Sequence, residues 1–180
     1  MRAHVLLALP LWILLAPIDL FAEPADCRPI FAESWESGLN GWVVTGGQWE
    51  VGIPTSGPDS AYAGDSCAAT VLAGNYSRDA DARLESPRSR PIRLGTVAGD
   101  ERIVLSFWHW FSFAASFDLG TVEISVEGAP WRTIAGPFGF ASPVWTRGAV
   151  DLTAFADSTI RVGFRFRSHQ YSATAPGWYI

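Results

Sequence analysis

Aromatic, histidine and carboxylate side chains that suit ligand binding follow one another closely in residues 102–127. His109 lies between two tryptophans, and Glu123 belongs to the alternating run that follows. Exposed aromatic rings hold sugars against their apolar faces, and a few polar neighbours add specificity. The candidate ligand-binding residues are therefore Trp110, Trp131, Trp145, His109 and Glu123. The alternative is that the tryptophans are packing residues and that His109 is a hydrogen-bonded core residue.

The residues that most often perform catalysis do not fall into a known catalytic motif. The three histidines are His4, His109 and His169, and the chain has no His-Glu-x-x-His zinc motif and no Gly-x-Ser-x-Gly nucleophile elbow. Glycosidase chemistry needs two carboxylates at a defined separation across a cleft. Glu123 and Glu127 instead share one strand face, where surface carboxylates are common. We expect the chain not to be an enzyme and assign no catalytic residue.

Two alternating runs indicate how these side chains are positioned. In residues 120–127, Val122, Ile124 and Val126 share one face and polar residues share the other, the period of a half-buried strand. Residues 102–113 are apolar and aromatic on both faces, which predicts a central strand that is covered on both sides. In residues 160–166, apolar residues alternate with arginine and glycine, so this run also has one face that points into the core. The predicted shared core is Phe107, Val122, Ile124, Val162, Phe164 and Phe166.

The rest of the chain reads as short strands bounded by turn residues. Residues 42–51 have a hairpin-like pattern around Gly46-Gly47, residues 52–65 form a long loop, and only residues 152–157 suggest a helical turn. About ten short strands at regular spacing predict an all-β fold. The predicted class is a two-sheet antiparallel β-sandwich of jelly-roll type, with a closed barrel as the lesser alternative.

Composition favours one compact domain and excludes nucleic-acid binding. The 180 residues are 48% hydrophobic and 17% charged, with a net charge of −5 and no basic run. Phosphate binding needs clustered Lys and Arg side chains. We expect an extracellular protein or a glycan as the partner, because the chain is predicted to be exported.

Residues 1–22 are predicted to be a signal peptide. Arg2 precedes an apolar run over residues 5–18 that is too short to span a bilayer, and Ala22 offers a small residue for cleavage. No second hydrophobic span follows, so we expect a secreted protein with an N-terminal segment over residues 23–30. Cys27 also raises the possibility of a lipoprotein, but Asp26 before it is unlike the small residue such a site needs. Export implies an oxidising compartment, and we predict a disulfide between Cys27 and Cys67.

A series of short motifs resembles one known kind of module. In order along the chain they are Trp35-Glu36-Ser37-Gly38, Gly41-Trp42, Trp49-Glu50-Val51-Gly52, Thr55-Ser56-Gly57-Pro58, Gly74-Asn75-Tyr76, Leu84-Glu85-Ser86-Pro87, Leu105-Ser106-Phe107-Trp108-His109-Trp110, Gly120-Thr121-Val122-Glu123-Ile124-Ser125 and Gly177-Trp178-Tyr179-Ile180. Together they resemble the MAM-like jelly-roll modules of bacterial secreted proteins, including those appended to immune inhibitor A-type metallopeptidases, and more distantly the MAM domains of animal ectodomains. The resemblance covers nearly all of residues 31–180.

This resemblance implies a non-catalytic adhesion or accessory module, often with a structural calcium ion. Calcium prefers six to eight oxygen ligands, and irregular loops supply free carbonyl oxygens. By resemblance, Glu36 and the long loop with Asp59 and Asp65 form half of a calcium site. The other half would come from carboxylates after the terminal Trp-Tyr-Ile strand, and residues 31–180 are expected to be a domain cut short at that strand. The alternative functions are a carbohydrate-binding, lectin-like module and the non-catalytic part of a secreted metallopeptidase.

Overall fold

The computed structural model describes residues 28–171 and 173–180, so the predicted signal peptide and Cys27 lie outside the described residues. Nearly all regular structure in this part of the chain is strand, with one short 3-10 helix at Thr153–Phe155. The strands are β1 Val43–Thr45, β2 Glu50–Gly52, β3 Cys67–Ala69, β4 Asp81–Glu85, β5 Ile92–Arg93, β6 Val104–Ser112, β7 Leu119–Val126, β8 Arg132–Phe138, β9 Ala141–Asp151, β10 Thr159–Arg167 and β11 Gly177–Tyr179.

These strands form two antiparallel sheets. The six-stranded sheet has the order β1-β4-β10-β7-β8, with β5 paired to the start of β10. The five-stranded sheet has the order β2-β3-β11-β6-β9. Chain neighbours are often in different sheets, as β6 and β7 are. The predicted two-sheet antiparallel β-sandwich is confirmed.

The hairpin predicted for residues 42–51 is not formed, because its two strands belong to different sheets. Val43 pairs with Glu85 in the six-stranded sheet, and Glu50 pairs with Ala69 in the five-stranded sheet. Gly46, at φ 78°, lies in the link between the strands and contacts the Asp81 carbonyl so closely that any side chain would collide with it. The glycines therefore carry the chain from one sheet to the other.

The core lies between the sheets and is rich in aromatic rings. All six predicted core residues are at most 8% exposed and belong to one cluster of contacting side chains. Trp178 on β11 is fully buried and packs against Phe164, with 5.8 Å between ring centroids. The strand alternation thus identified the inner faces correctly.

Burial of the two central strands is the reverse of the prediction. On β7 the polar residues Thr121, Glu123 and Ser125 are buried, at 9%, 5% and 1% exposure, so this strand is covered on both faces. On β6, the outward-facing Val104 is 52% exposed. Arginine side chains of the same sheet cover the outer face of β7, since Arg83 of β4 and Arg165 of β10 both reach Glu123.

Within residues 28–171 and 173–180, the structure contains no helix that is both long enough and apolar enough to cross a bilayer.

Candidate functional site

The candidate ligand-binding residues fall in three separate places. Glu123 and Trp131 lie on the outer face of the six-stranded sheet. Trp110 and Trp145 lie on the outer face of the five-stranded sheet, beside the long loop. His109 points between the two sheets into the core. The sequence therefore identified residues from more than one surface.

The outer face of the six-stranded sheet carries a network that we call the charged face, made of Asp81, Arg83, Glu85, Glu123, Arg161 and Arg165. Glu123 is at its centre and accepts a 2.7 Å hydrogen bond from Nε of Arg83. Nη1 of Arg165 lies 3.5 Å from the other carboxylate oxygen of Glu123. The Glu123 carboxylate is nearly buried, and two guanidinium groups compensate its charge.

Glu85 is a second nearly buried carboxylate on the charged face, at 3% exposure. It accepts a 3.0 Å hydrogen bond from Nη1 of Arg161, and Arg88 lies 3.5 Å away. At the end of the face, Asp81 accepts two hydrogen bonds from Arg165, at 2.7 and 2.6 Å. These bonds hold the pKa of the Asp81 carboxyl below its ordinary value and raise that of Arg165. The charged groups are therefore fixed by mutual pairing.

Trp131 covers the middle of the charged face. Its ring lies 5.0 Å from the guanidinium carbon of Arg83 and 4.8 Å from that of Arg161, both within range for cation–π attraction. The ring rests over Gly163, where a Cβ atom would come within 3.0 Å of the indole. Gly163 pairs with Glu85 on one side and Glu123 on the other. A glycine at this position leaves room for the aromatic ring to lie on the sheet.

The carboxylates and arginines of this face bond one another. Both nearly buried carboxylates already accept hydrogen bonds from arginines. All 13 cationic residues of the chain are arginine, and a guanidinium plane stacks on an aromatic ring while it bonds a carboxylate. The face therefore presents a half-buried indole ring and fixed polar groups to a ligand.

The outer face of the five-stranded sheet carries Trp108, Trp110 and Trp145. The Tyr62 ring of the long loop stacks on Trp108 at 3.9 Å with an interplanar angle of 13°. Trp110 and Trp145 line a shallow cavity of about 370 Å³ together with Asp59 of the same loop. The buried indole N–H of Trp145 has no hydrogen-bond partner among the described residues. The loop thus covers much of this aromatic surface.

His109 behaves as a core residue. It is 3% exposed, and its Nδ1 accepts a 3.3 Å hydrogen bond from the indole N–H of Trp178. Burial lowers the pKa of His109 from 6.5 to about 4, so the ring is neutral at physiological pH. His109 is therefore placed as a hydrogen-bonded core residue, which was the alternative to a ligand-binding role.

Of the three residues predicted to bind calcium, Glu36 and Asp65 lie close together and Asp59 lies elsewhere. Oε1 of Glu36 accepts hydrogen bonds from the backbone N–H groups of Asp65 and Ser66, at 3.0 and 2.9 Å, so Glu36 and the end of the long loop do meet. Asp59 instead lies at the cavity beside Trp110. Among the described residues, no three His, Cys, Asp or Glu side chains are grouped so that they could hold a metal ion. Calcium binding stays a prediction.

Cys67 is buried and has no disulfide partner within the described residues, and burial raises the pKa of its thiol to about 12. Its predicted partner, Cys27, lies outside the described residues. Cys67 and Pro29, which comes two residues after Cys27, are both among the residues that line one cavity of about 540 Å³. The disulfide therefore stays a prediction.

Sequence analysis missed most of the charged face and a buried carboxylate. Asp118 is fully buried and accepts hydrogen bonds from the Tyr76 hydroxyl at 2.6 Å and the His169 backbone N–H at 2.8 Å, tying three loops together. The alternation of Asp81, Arg83 and Glu85 along β4 was the available signal for the charged face. It did not reveal which strands lie beside β4.

Known proteins resemble the chain in sequence and in shape. The chain matches no protein-family model. It is 31% identical over 152 residues to Bacillopeptidase F of Bacillus subtilis (strain 168), a match that covers 83% of this chain and 10% of that protein. The chain thus spans about a tenth of the length of this relative.

Two solved structures of carbohydrate complexes are weakly similar in shape. TmCBM61 in complex with beta-1,4-galactotriose gives a TM-score of 0.46 at 12% identity, covering 78% of this chain and 83% of that one. The isomalto-dextranase of Arthrobacter globiformis T6 complexed with panose gives a TM-score of 0.36 at 17% identity, covering 77% of this chain and 22% of the enzyme.

Proposed function

We propose that this chain is a non-catalytic adhesion or accessory binding module of an exported protein, of the MAM-like kind. The observation that carries the proposal is the extent of the sequence similarity. It covers most of this chain but only a tenth of a much longer peptidase, as expected for a module that accompanies other domains. The predicted signal peptide supports export.

The charged face supports binding as the activity. Its carboxylates are occupied by arginines, while Trp131 remains half-exposed between two guanidinium groups. A surface fixed in this way loses little conformational freedom when a partner binds. The ligand would be an extracellular protein or a glycan.

Solid-phase binding to panels of extracellular proteins and glycans tests this function. We expect saturable binding by the folded protein, none after heat denaturation, and no release of peptides or sugars from any bound macromolecule. Hydrolysis that copurifies with the chain and disappears on substitution of one of its residues would contradict a non-catalytic role.

Carbohydrate binding is the second candidate, and Trp131 favours it. An indole ring flanked by guanidinium groups and carboxylates offers a stacking surface beside hydrogen-bonding groups, the combination that sugar sites use. Affinity electrophoresis in neutral and acidic polysaccharides tests it. Retardation should be lost in Trp131→Ala and kept in Trp145→Ala. Equal retardation of both variants would remove the charged face as a sugar site. The third alternative, the non-catalytic part of a secreted metallopeptidase, predicts the same binding without hydrolysis.

A further inference from the structure

Glu85 on the charged face is shared by more arginines than one carboxylate neutralises. Nη1 of Arg161 lies 3.0 Å from Oε2 of Glu85, and Nη2 of Arg88 lies 3.5 Å from the same oxygen. Nη1 of Arg83 lies 3.7 Å from Oε1, and its Nε bonds Glu123. Within residues 28–171 and 173–180, neither Arg88 nor Arg161 pairs with a second carboxylate. This end of the face therefore has an excess of positive charge.

The accessible charge at this end is that of the arginines. The side chains of Glu85 and Glu123 are only 4% and 6% exposed, whereas that of Arg88 is 67% exposed. Asp81 is exposed, but Arg165 bonds both of its carboxylate oxygens at the other end of the face. A ligand that approaches the face near Glu85 thus meets guanidinium groups before it meets carboxylates.

The excess charge lies next to Trp131. The guanidinium carbon of Arg161 is 4.8 Å from the centre of the Trp131 ring, and that of Arg83 is 5.0 Å away. Arg88 contacts the same carboxylate oxygen as Arg161, so it is one ion pair away from an arginine that stacks on the ring. A half-buried aromatic ring and an exposed guanidinium group are therefore neighbours on one surface.

These two neighbours suit different parts of one kind of sugar. An aromatic ring packs against the apolar face of a sugar, and polar groups around it fix the orientation. A guanidinium group binds carboxylates and similar oxyanions through two parallel N–H groups. A neutral sugar would use the ring of Trp131 and leave the charge of Arg88 without a partner. An acidic peptide would use that charge but has no need of the ring beside it.

We propose that the charged face binds acidic polysaccharides, with one sugar ring against Trp131 and a negative group of the same chain on Arg88. The negative group is a carboxylate, as in a uronic acid, or a sulfate, since both present paired oxygens to a guanidinium group. This inference rests on the proposed carbohydrate-binding function of the charged face, and it adds the charge class of the ligand.

Affinity electrophoresis of the whole chain tests the charge class with matched polymers. Polygalacturonate and its fully methyl-esterified form share one backbone and differ in charge, and dextran sulfate and dextran are a second pair. We expect the acidic member of at least one pair to bind at least about fivefold more tightly than its neutral partner. Raising the salt concentration from about 0.05 M to about 0.5 M should weaken that binding, because the exposed guanidinium groups are screened by ions.

Variants of Trp131 test whether the acidic polymer binds at the ring. Trp131→Ala should abolish the retardation, because the sugar loses its stacking surface. Trp131→Phe keeps an aromatic ring and should retain most of the retardation. Acidic binding that survives in Trp131→Ala would reveal nonspecific charge attraction and overturn the proposed site.

Variants of two exposed arginines test the position of the charge. Arg88→Gln removes one exposed charge and leaves two other arginines at Glu85, so it should fold and bind about fivefold more weakly. Arg102→Gln is the matched control, since its side chain is 72% exposed and pairs with Asp151 on the five-stranded sheet. It should leave binding within about twofold. Equal losses in the two variants would count against a site at Arg88.

The remaining outcomes separate this inference from the proposed function. Equal binding of the acidic and neutral members of both pairs, lost in Trp131→Ala, would overturn the charge class and leave carbohydrate binding intact. No binding to any of the four polymers would overturn both, while adhesion to proteins would still be decided by the protein panel. Polyglutamate that binds as tightly as polygalacturonate would also overturn the inference, since an acidic peptide would then be the ligand.

Discussion

The outer face of the six-stranded sheet is a layer of ion pairs, whereas the outer face of the five-stranded sheet is a row of aromatic rings beneath a loop. The first is held by side chains of the sheet itself, as in the pairs Arg83–Glu123 and Arg161–Glu85. The second depends on a distant segment, since Tyr62 of the long loop stacks on Trp108. The difference teaches that the polar face is fixed by side chains of its own sheet, whereas the aromatic face depends on the position of a loop.

The predicted disulfide should make the largest contribution to the free energy of unfolding, on the side of the molecule that the long loop covers. Closing a loop of roughly 40 residues between Cys27 and Cys67 should stabilise the fold by about 4 kcal/mol in the chain-entropy model. Thiol titration of exported protein under denaturing conditions should find no free thiol, and a reductant should lower the melting temperature. Two titratable thiols would show that the pair does not form.

Removing a central carboxylate should damage the charged face strongly. Glu123→Ala leaves Arg83 and Arg165 without one of their partners, and we expect the free energy of unfolding to fall by about 3 kcal/mol, because a guanidinium group loses its compensating charge in a partly buried place. Urea denaturation measures the change. Val104→Ala, the matched outward residue on β6, should cost no more than about 0.5 kcal/mol. Equal losses of unfolding free energy in Glu123→Ala and Val104→Ala would contradict the proposed difference between the two faces.

Acid should destabilise the core through His109. Its folded-state pKa of about 4 lies below the ordinary 6.5, so between these values the unfolded chain takes up a proton that the folded protein does not. The stabilisation is complete above pH 6.5 and is lost as the pH falls toward 4, by about 3 kcal/mol at about 1.4 kcal/mol per pH unit.

Urea midpoints measured from neutral pH to about pH 4 test this for wild type and His109→Gln. Carboxylates contribute to acid unfolding in both proteins, so the difference between the two slopes isolates the histidine. The same change of urea midpoint with pH in wild type and His109→Gln would contradict a neutral, buried His109.

Removing the loop's ring should have a smaller effect. Tyr62→Ala loses the stack on Trp108 and should cost about 1 kcal/mol beyond the lost apolar area, with a change in the near-ultraviolet dichroism of the tryptophans. Tyr171→Ala, at a ring that is 80% exposed, is the matched control and should leave both quantities nearly unchanged. No change in the unfolding free energy or the near-ultraviolet dichroism of Tyr62→Ala would show that the loop does not stabilise the aromatic face.

Calcium should have the smallest effect. Glu36 already accepts two backbone N–H groups and Asp59 lies elsewhere, so this chain should gain less than about 1 kcal/mol from calcium relative to chelator. Extension by Asp-Asp after Ile180 should enlarge the difference in melting temperature, and Glu36→Gln should remove it. The same melting temperature with and without calcium in the extended protein would end the hypothesis.

The strands themselves were largely predictable. The alternation in residues 159–167 gave β10 and its inner face, and the turn residues at 114–118 separated β6 from β7. Such patterns are local, because period-two alternation depends only on which face of one strand is buried. The failed hairpin at residues 42–51 shows the limit, since Gly46-Gly47 is compatible both with a tight turn and with a link between sheets.

The sequence by itself determined the class of fold, the shared aromatic core and the placing of polar residues on the outer faces. Only the tertiary structure decided which of those residues meet. Glu85 and Glu123 flank Gly163 because β10 lies between β4 and β7, and Trp131 lies over Gly163 and beside Arg83 of β4. Strand order is set by the packing of the whole chain, over separations that no local pattern records.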